Sequence, residues 1–201
     1  MALLILGLLL FLGAHSTRIF AENWRQATLA RLGEKAYKGA YTLVSLVGLG
    51  LLMFGFDQVR WDSPILWAPP VWAKHGAALL MLVSMVLLAC AHAPGNAIKA
   101  KLGHPMVLSV KVWALAHLLA NPRAADVVLF GAFLVWSVLN FRASRKRDRL
   151  ALAERDQTSV EPAPTVSMAA TWRAVGIGVV VWAVLLSRGH AWLFGVSPLG
   201  T

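Results

Sequence analysis

The chain alternates long apolar runs with short polar stretches, and the runs are apolar on every side rather than striped along one face. Six of them approach or reach the length of a membrane-crossing helix. They extend from about Leu3 to Phe20, Ala40 to Phe56, Val71 to Ala91, His104 to Ala120, Ala125 to Phe141 and Trp172 to Leu186. The fourth and sixth are short for a bilayer and require tilt, extension or a partly interfacial position. The pattern predicts an all-α, polytopic membrane helix bundle of about six transmembrane helices. It forms a single domain over residues 1–201, with 142–170 a basic inward-facing loop and linker.

Composition agrees: 58% of residues are hydrophobic and the mean hydropathy is +0.65, which leaves no room for a separate soluble domain. A net charge of +10 on a soluble chain would suggest nucleic acid. Here the bilayer is the expected partner, not nucleic acid, and the positions of Lys and Arg carry the information. Of the 19 basic residues, 14 fall on one side of a six-span arrangement. Arg18, Arg25, Arg31, Lys35 and Lys38 follow the first span, Lys99 and Lys101 the third, and Arg142, Arg145, Lys146, Arg147, Arg149, Arg155 and Arg173 the fifth. The positive-inside rule then puts both termini outside, in a multi-pass membrane protein. Met1 to Leu12 carries no charge, whereas Arg18 and Arg25 follow it. A secretory signal has the opposite order, so the first segment reads as a retained helix.

Trp61, Asp62, Pro64, Trp67, Pro69, Pro70 and Trp72 make an outward loop that reads as an interfacial aromatic belt with a turn. The stretch from Arg142 reads as a helical extension facing anionic headgroups, and Ser159 to Thr165 as a flexible linker. Gly48, Gly50, Gly55, Gly131, Gly176 and Gly178 offer close helix contacts.

Candidate chemistry rests on histidine. The lone Cys90 excludes an intrachain disulfide and a cysteine-rich metal site, and without Cys-x-x-Cys-His a covalent c-type haem is excluded. No carboxylate lies inside a span, which disfavours a zinc hydrolase. The orientation sorts His15, His92 and His104 toward the inner side and His75, His117 and His190 toward the outer. His92 and His190 sit at span ends where water is available. His15 ends a charge-free helix, and His104 precedes Pro105 in Leu102-Gly-His-Pro-Met106. His117 lies deep in the same apolar run as Lys111 and Trp113. Ionisable groups inside a membrane helix usually face a protein interior, a cofactor or a pathway. At 100° per residue His104 and Lys111 share one face and His117 points elsewhere. Imidazole is a common axial ligand of haem iron in helical bundles, so non-covalent haem b is the sharpest cofactor reading. Histidines that only hydrogen-bond neighbouring helices remain the alternative.

The segments Gly13-Ala-His-Ser-Thr-Arg-Ile-Phe20 and Leu102-Gly-His-Pro-Met-Val-Leu-Ser-Val-Lys-Val-Trp-Ala-Leu-Ala-His-Leu-Leu-Ala-Asn121 resemble the NnrU family of bacterial membrane proteins, and the likeness covers nearly the whole chain. That family is linked to denitrification, in particular to nitrite and nitric oxide reduction. It is similar in turn to the plant zeta-carotene isomerase, a membrane protein that uses haem b to isomerise a carotenoid double bond. The isomerase's His-Ser ligand motif matches His15-Ser16, and its Cys-Leu-Ala-His motif reads Ala114-Leu-Ala-His117 here. The resemblance thus implies haem b with His15 and His117 as metal ligands, His104 and Lys111 lining the same cavity and Arg18 beside a haem propionate. The missing cysteine at Ala114 withholds the isomerase activity, so whether the chain is an enzyme stays open between isomerase-like, redox and sensing roles. His104 and His117 stand about 20 Å apart along an ideal helix. His15 and His117 therefore need tilt to meet one iron, failing which His15 would pair with His104.

The implied partners are a hydrophobic small molecule such as a quinone or polyene, and respiratory or denitrification membrane proteins. Two alternatives stay open. A cofactor-free assembly or interaction protein for a respiratory complex fits the same spans. The His-Pro followed by an apolar helix is also similar to the membrane S-adenosylmethionine-dependent methyltransferases, although Gly103 stands where those enzymes have arginine and their C-terminal Glu-Glu is absent.

Overall fold

A computed structural model describes residues 1–155 and 165–199, and every regular element among them is helical. The order is α1 (Ala2–His15), α2 (Thr17–Phe20), α3 (Glu22–Val59), α4 (Val71–His92), α5 (Ala97–Leu102), α6 (Pro105–Ala120), α7 (Ala124–Arg155) and α8 (Met168–Val184). A π-helical turn, Leu185–Gly189, joins α8 to α9 (His190–Phe194). Four stretches are long and apolar enough to cross a membrane: Glu22–Val59, Val71–His92, Ala124–Glu154 and Met168–Phe194. At 14 and 16 residues, the apolar α1 and α6 rise about 21 and 24 Å, short of a hydrocarbon core of roughly 30 Å.

The boundaries differ from the hydropathy reading where local chemistry overrides it. α3 begins at Glu22, well before the apolar run, and breaks at Gly33 (φ 78°, ψ 161°), so a charged segment leads into the apolar one. The sixth apolar run is longer than it reads, because the π-turn carries the helix on to Phe194. α7 continues to Arg155, which makes the first part of the basic loop helical. Apart from Thr165, the expected linker from Ser159 lies outside the described residues. Pro70 precedes α4, and Pro94 follows it because proline cannot continue the hydrogen-bond ladder. Asn96 caps α5 by accepting from the Lys99 N–H at 2.8 Å, while its side-chain amide donates to the Cys90 carbonyl at 2.8 Å.

The chain divides into two compact units, Met1–Ala68 with Asn121–Asn140, and Pro69–Ala120 with Phe141–Thr201. In the first, α1 runs antiparallel to α3 along a seam of small residues. Leu4 meets Gly55, Gly7 meets Leu52, and Phe11 meets Gly48, a spacing of three and four residues on both helices. A Cβ on Gly7, Gly48 or Gly55 would fall within 3.0 Å of the facing backbone. Without that Cβ the helices approach until their backbones touch, which supplies the van der Waals attraction that apolar lipid cannot out-compete. Of the other glycines the sequence offered for such contacts, Gly178 meets Val86 equally closely, whereas Gly50, Gly131 and Gly176 meet nothing within 4 Å.

The part of the tryptophan- and proline-rich loop that lies in this unit is tied to the start of α7. Arg123 donates to the carbonyls of Trp61 and Ser63 at 2.7 and 2.9 Å, and the Leu66 N–H donates to the Pro122 carbonyl at 2.8 Å.

In the second unit α4 is central and packs antiparallel against both α6 and α8. The Ser84 hydroxyl donates to the Ser109 carbonyl at 3.0 Å, and the Trp182 indole N–H donates to the Ala78 carbonyl at 2.8 Å.

The seam yields a test. Gly7→Ala or Gly55→Ala forces α1 and α3 apart and is expected to cost about 1–3 kcal/mol, the usual penalty of overpacking. Thermal unfolding of the detergent-solubilised protein measures it. Gly50→Ala, in open space within α3, is the control and does not lower the midpoint.

Candidate functional site

In the first unit, His15 closes α1. Its Nδ1–H donates to the Phe11 carbonyl one turn back, at 2.7 Å. Phe11, Tyr41 and Trp136 surround the ring, at centroid distances of 4.3, 5.3 and 6.2 Å. The Ser16 hydroxyl donates to the Leu12 carbonyl at 2.6 Å, so the His-Ser pair ends the helix by bonding back onto it. Arg18, the residue expected at a propionate, lies 3.8 Å from the Glu22 carboxylate.

In the second unit, histidines mark both ends of α6. At its start, His104 donates from Nε2 to the Asp148 carboxylate at 2.8 Å, with Arg145 3.7 Å from the same oxygen. Gly103 makes this approach feasible. Its φ of 77° belongs to glycine, and a Cβ there would stand 3.2 Å from Arg145 Nη1. The Gly-His-Pro segment therefore builds a corner. Gly103 ends α5, Pro105 opens α6 where a missing N–H is harmless, and His104 ties the turn to α7. The Nε2 of His104 is engaged by Asp148. Lys111 is half-buried midway along α6.

Near the other end, the His117 Nδ1–H donates to the Trp113 carbonyl at 2.9 Å, and the Trp113 ring lies 5.1 Å from the imidazole. A carbonyl can only accept, so the proton sits on Nδ1 and the lone pair on Nε2, the tautomer suited to binding a metal. His190 of α9 faces His117 with ring centroids 6.4 Å apart and planes 30° from parallel. Ala114, where the isomerase motif has cysteine, is fully buried.

The family model described as NnrU protein matches residues 3–198. The chain belongs to the NnrU family. No curated protein and no solved structure matches it. The blocks that carry the NnrU likeness thus contain two different kinds of histidine, one engaged by a carboxylate and two held by the backbone. His15 and His117 belong to different compact units, while His104, Lys111 and His117 belong to one.

Sequence reasoning set His190 aside as a residue at a span boundary, because nothing in Leu185-Leu-Ser-Arg-Gly189 announces a π-turn. It also passed over Asp148 as one charge in a basic run, since its partner lies 44 residues away.

The corner generates a prediction. His104→Ala and Asp148→Ala should couple by about 0.5–1 kcal/mol in a double-mutant cycle, a modest figure because both side chains are partly exposed. Their thermal midpoints in detergent measure that coupling. If the two substitutions are simply additive, the corner does not depend on this pair.

Proposed function

We propose that this NnrU family member crosses a bacterial inner membrane six times with both termini outside, and binds haem b non-covalently through His117. Helix directions support the threading: α1 and α3 are antiparallel, as α4 is to α6 and to α8. Loop charge supports the orientation, since the cytoplasmic side of a bilayer protein collects Lys and Arg.

The observation that carries the cofactor is the donor set. Among the described residues no three His, Cys, Asp or Glu side chains gather into a group that could hold a bare metal ion. Zinc takes three or four protein ligands. Haem brings its own four nitrogens and asks the protein for one or two axial ligands, commonly neutral histidine. His117 offers such an imidazole, with its Nδ1–H held by the Trp113 carbonyl and its ring near those of Trp113 and His190. Bound haem would supply the one-electron chemistry of its iron. The chain's own part is to orient the imidazole, exclude water and present an apolar approach to a hydrophobic partner such as a quinone or polyene. With alanine at position 114, a redox or sensing role in nitrogen-oxide metabolism, beside respiratory or denitrification proteins, is favoured over isomerisation. The resemblance offers His15 as the second ligand and Arg18 as the propionate partner.

An absorption spectrum of the detergent-purified protein, oxidised and then reduced, tests the proposal. A Soret band and reducible iron are expected, and His117→Ala should lower haem occupancy by on the order of tenfold or more. A wild-type protein with no Soret band after haem supplementation overturns it, as does His117→Ala with native occupancy and an unchanged spectrum.

A further inference from the structure

We infer that His190 is the second imidazole of the His117 site, so that one compact unit supplies both axial ligands. The inference rests on the haem reading above and replaces His15 in it.

Distance brings the two imidazoles within reach of one metal. Two imidazoles bound on opposite sides of one metal, with metal–nitrogen bonds of about 2.0–2.1 Å, hold their ring centroids roughly 6.4 Å apart. The His117 and His190 ring centroids are 6.4 Å apart with planes 30° from parallel, a separation at which both imidazoles can reach one iron.

Orientation supports the pair. The imidazole of His117 is held by the carbonyl one helical turn back, an arrangement shared by His15, His75 and His92 and therefore ordinary. His190 is different. Its Nδ1 partner is the Val196 carbonyl, 2.7 Å away and six residues ahead. That carbonyl reaches the ring only because Gly195 (φ 70°) turns the chain back after α9. A backbone carbonyl on Nδ1 leaves the lone pair on Nε2 and fixes the ring, as it does for metal-bound histidines in general. Phe194 covers the imidazole at 4.9 Å. The π-turn immediately before His190 belongs to a class of irregularity that concentrates at functional sites. Turn, reversal and carbonyl together aim one side chain, and a solvated boundary histidine needs none of them.

The test uses the full-length protein in detergent, loaded with haem b and followed by absorption and electron paramagnetic resonance spectra. The wild type is expected to show a six-coordinate, low-spin bis-imidazole signature. His190→Ala and His117→Ala should each lose it, with added imidazole restoring it, while His15→Ala keeps it. His190→Met gives a second readout that does not depend on losing the ligand. A thioether can still bind the iron but raises the midpoint potential, so a positive shift is expected with the iron still six-coordinate.

If haem binds and His190→Ala keeps the low-spin signature at native occupancy, or if His15→Ala is the variant that loses it, the assignment of His190 fails while the haem reading stands. An unchanged potential in His190→Met overturns the assignment in the same way. A wild-type protein that takes up no haem overturns both.

Discussion

Hydrocarbon gives a polar group nothing to bond, so every such group inside an apolar helix has to find its partner within the chain. Most of the side-chain geometry follows from this. His15, His75, His92 and His117 each bond a carbonyl one turn back, and Ser16 does the same. Groups that reach another helix, such as Ser84 on Ser109 and Trp182 on Ala78, also find backbone oxygen. Histidine orientation is thus set by the helix it stands on, without carboxylates to steer it. Two histidines depart from this: His104, whose partner is a carboxylate on the basic, partly exposed stretch of α7, and His190, held by the Val196 carbonyl beyond the end of α9.

The same medium removes the hydrophobic reason for helices to associate, which leaves close packing to do it. Gly7, Gly48 and Gly55 serve α1 and α3 in this way, and Gly178 serves α8 against α4. The helical runs were legible in the sequence because span length is written directly into hydropathy. Contact faces were not. Gly48 and Gly50 are equivalent as residues, yet one touches Phe11 and the other touches nothing, because a contact depends on the phase of a partner helix. Gly7 escaped notice for that reason. The break at Gly33 lay within reach, since it falls at a glycine, the residue that takes a positive φ without strain, inside a charged stretch.

The candidate site was legible to the extent that chemistry stayed local. His117 stood out because an ionisable group deep in an apolar run needs an explanation. His104 stood out equally, and its explanation proved architectural: the Gly-His-Pro corner binds α5, α6 and α7 together through Asp148. Family likeness named His15 and His117, which spacing alone had left among other histidines. It gave no hint of His190, whose orientation depends on a wide helical turn and on a carbonyl beyond the end of α9. α6 therefore divides its work, with construction at its first turn and candidate ligation near its last.

The π-turn at Leu185–Gly189 makes the aim of His190 a matter of counting. A π-turn is an α-helix that has accepted one residue too many, and everything after it is rotated by that residue's share of a turn. Removing one residue would shorten the helix by only about 1.5 Å but swing His190 about 100° around its axis. A one-residue insertion or deletion, which the length of a membrane span barely registers, is thus enough to create or erase the meeting of His190 with His117. Among relatives of this chain, a difference of a single residue between Trp182 and His190 would carry more functional meaning than many substitutions elsewhere in the helix.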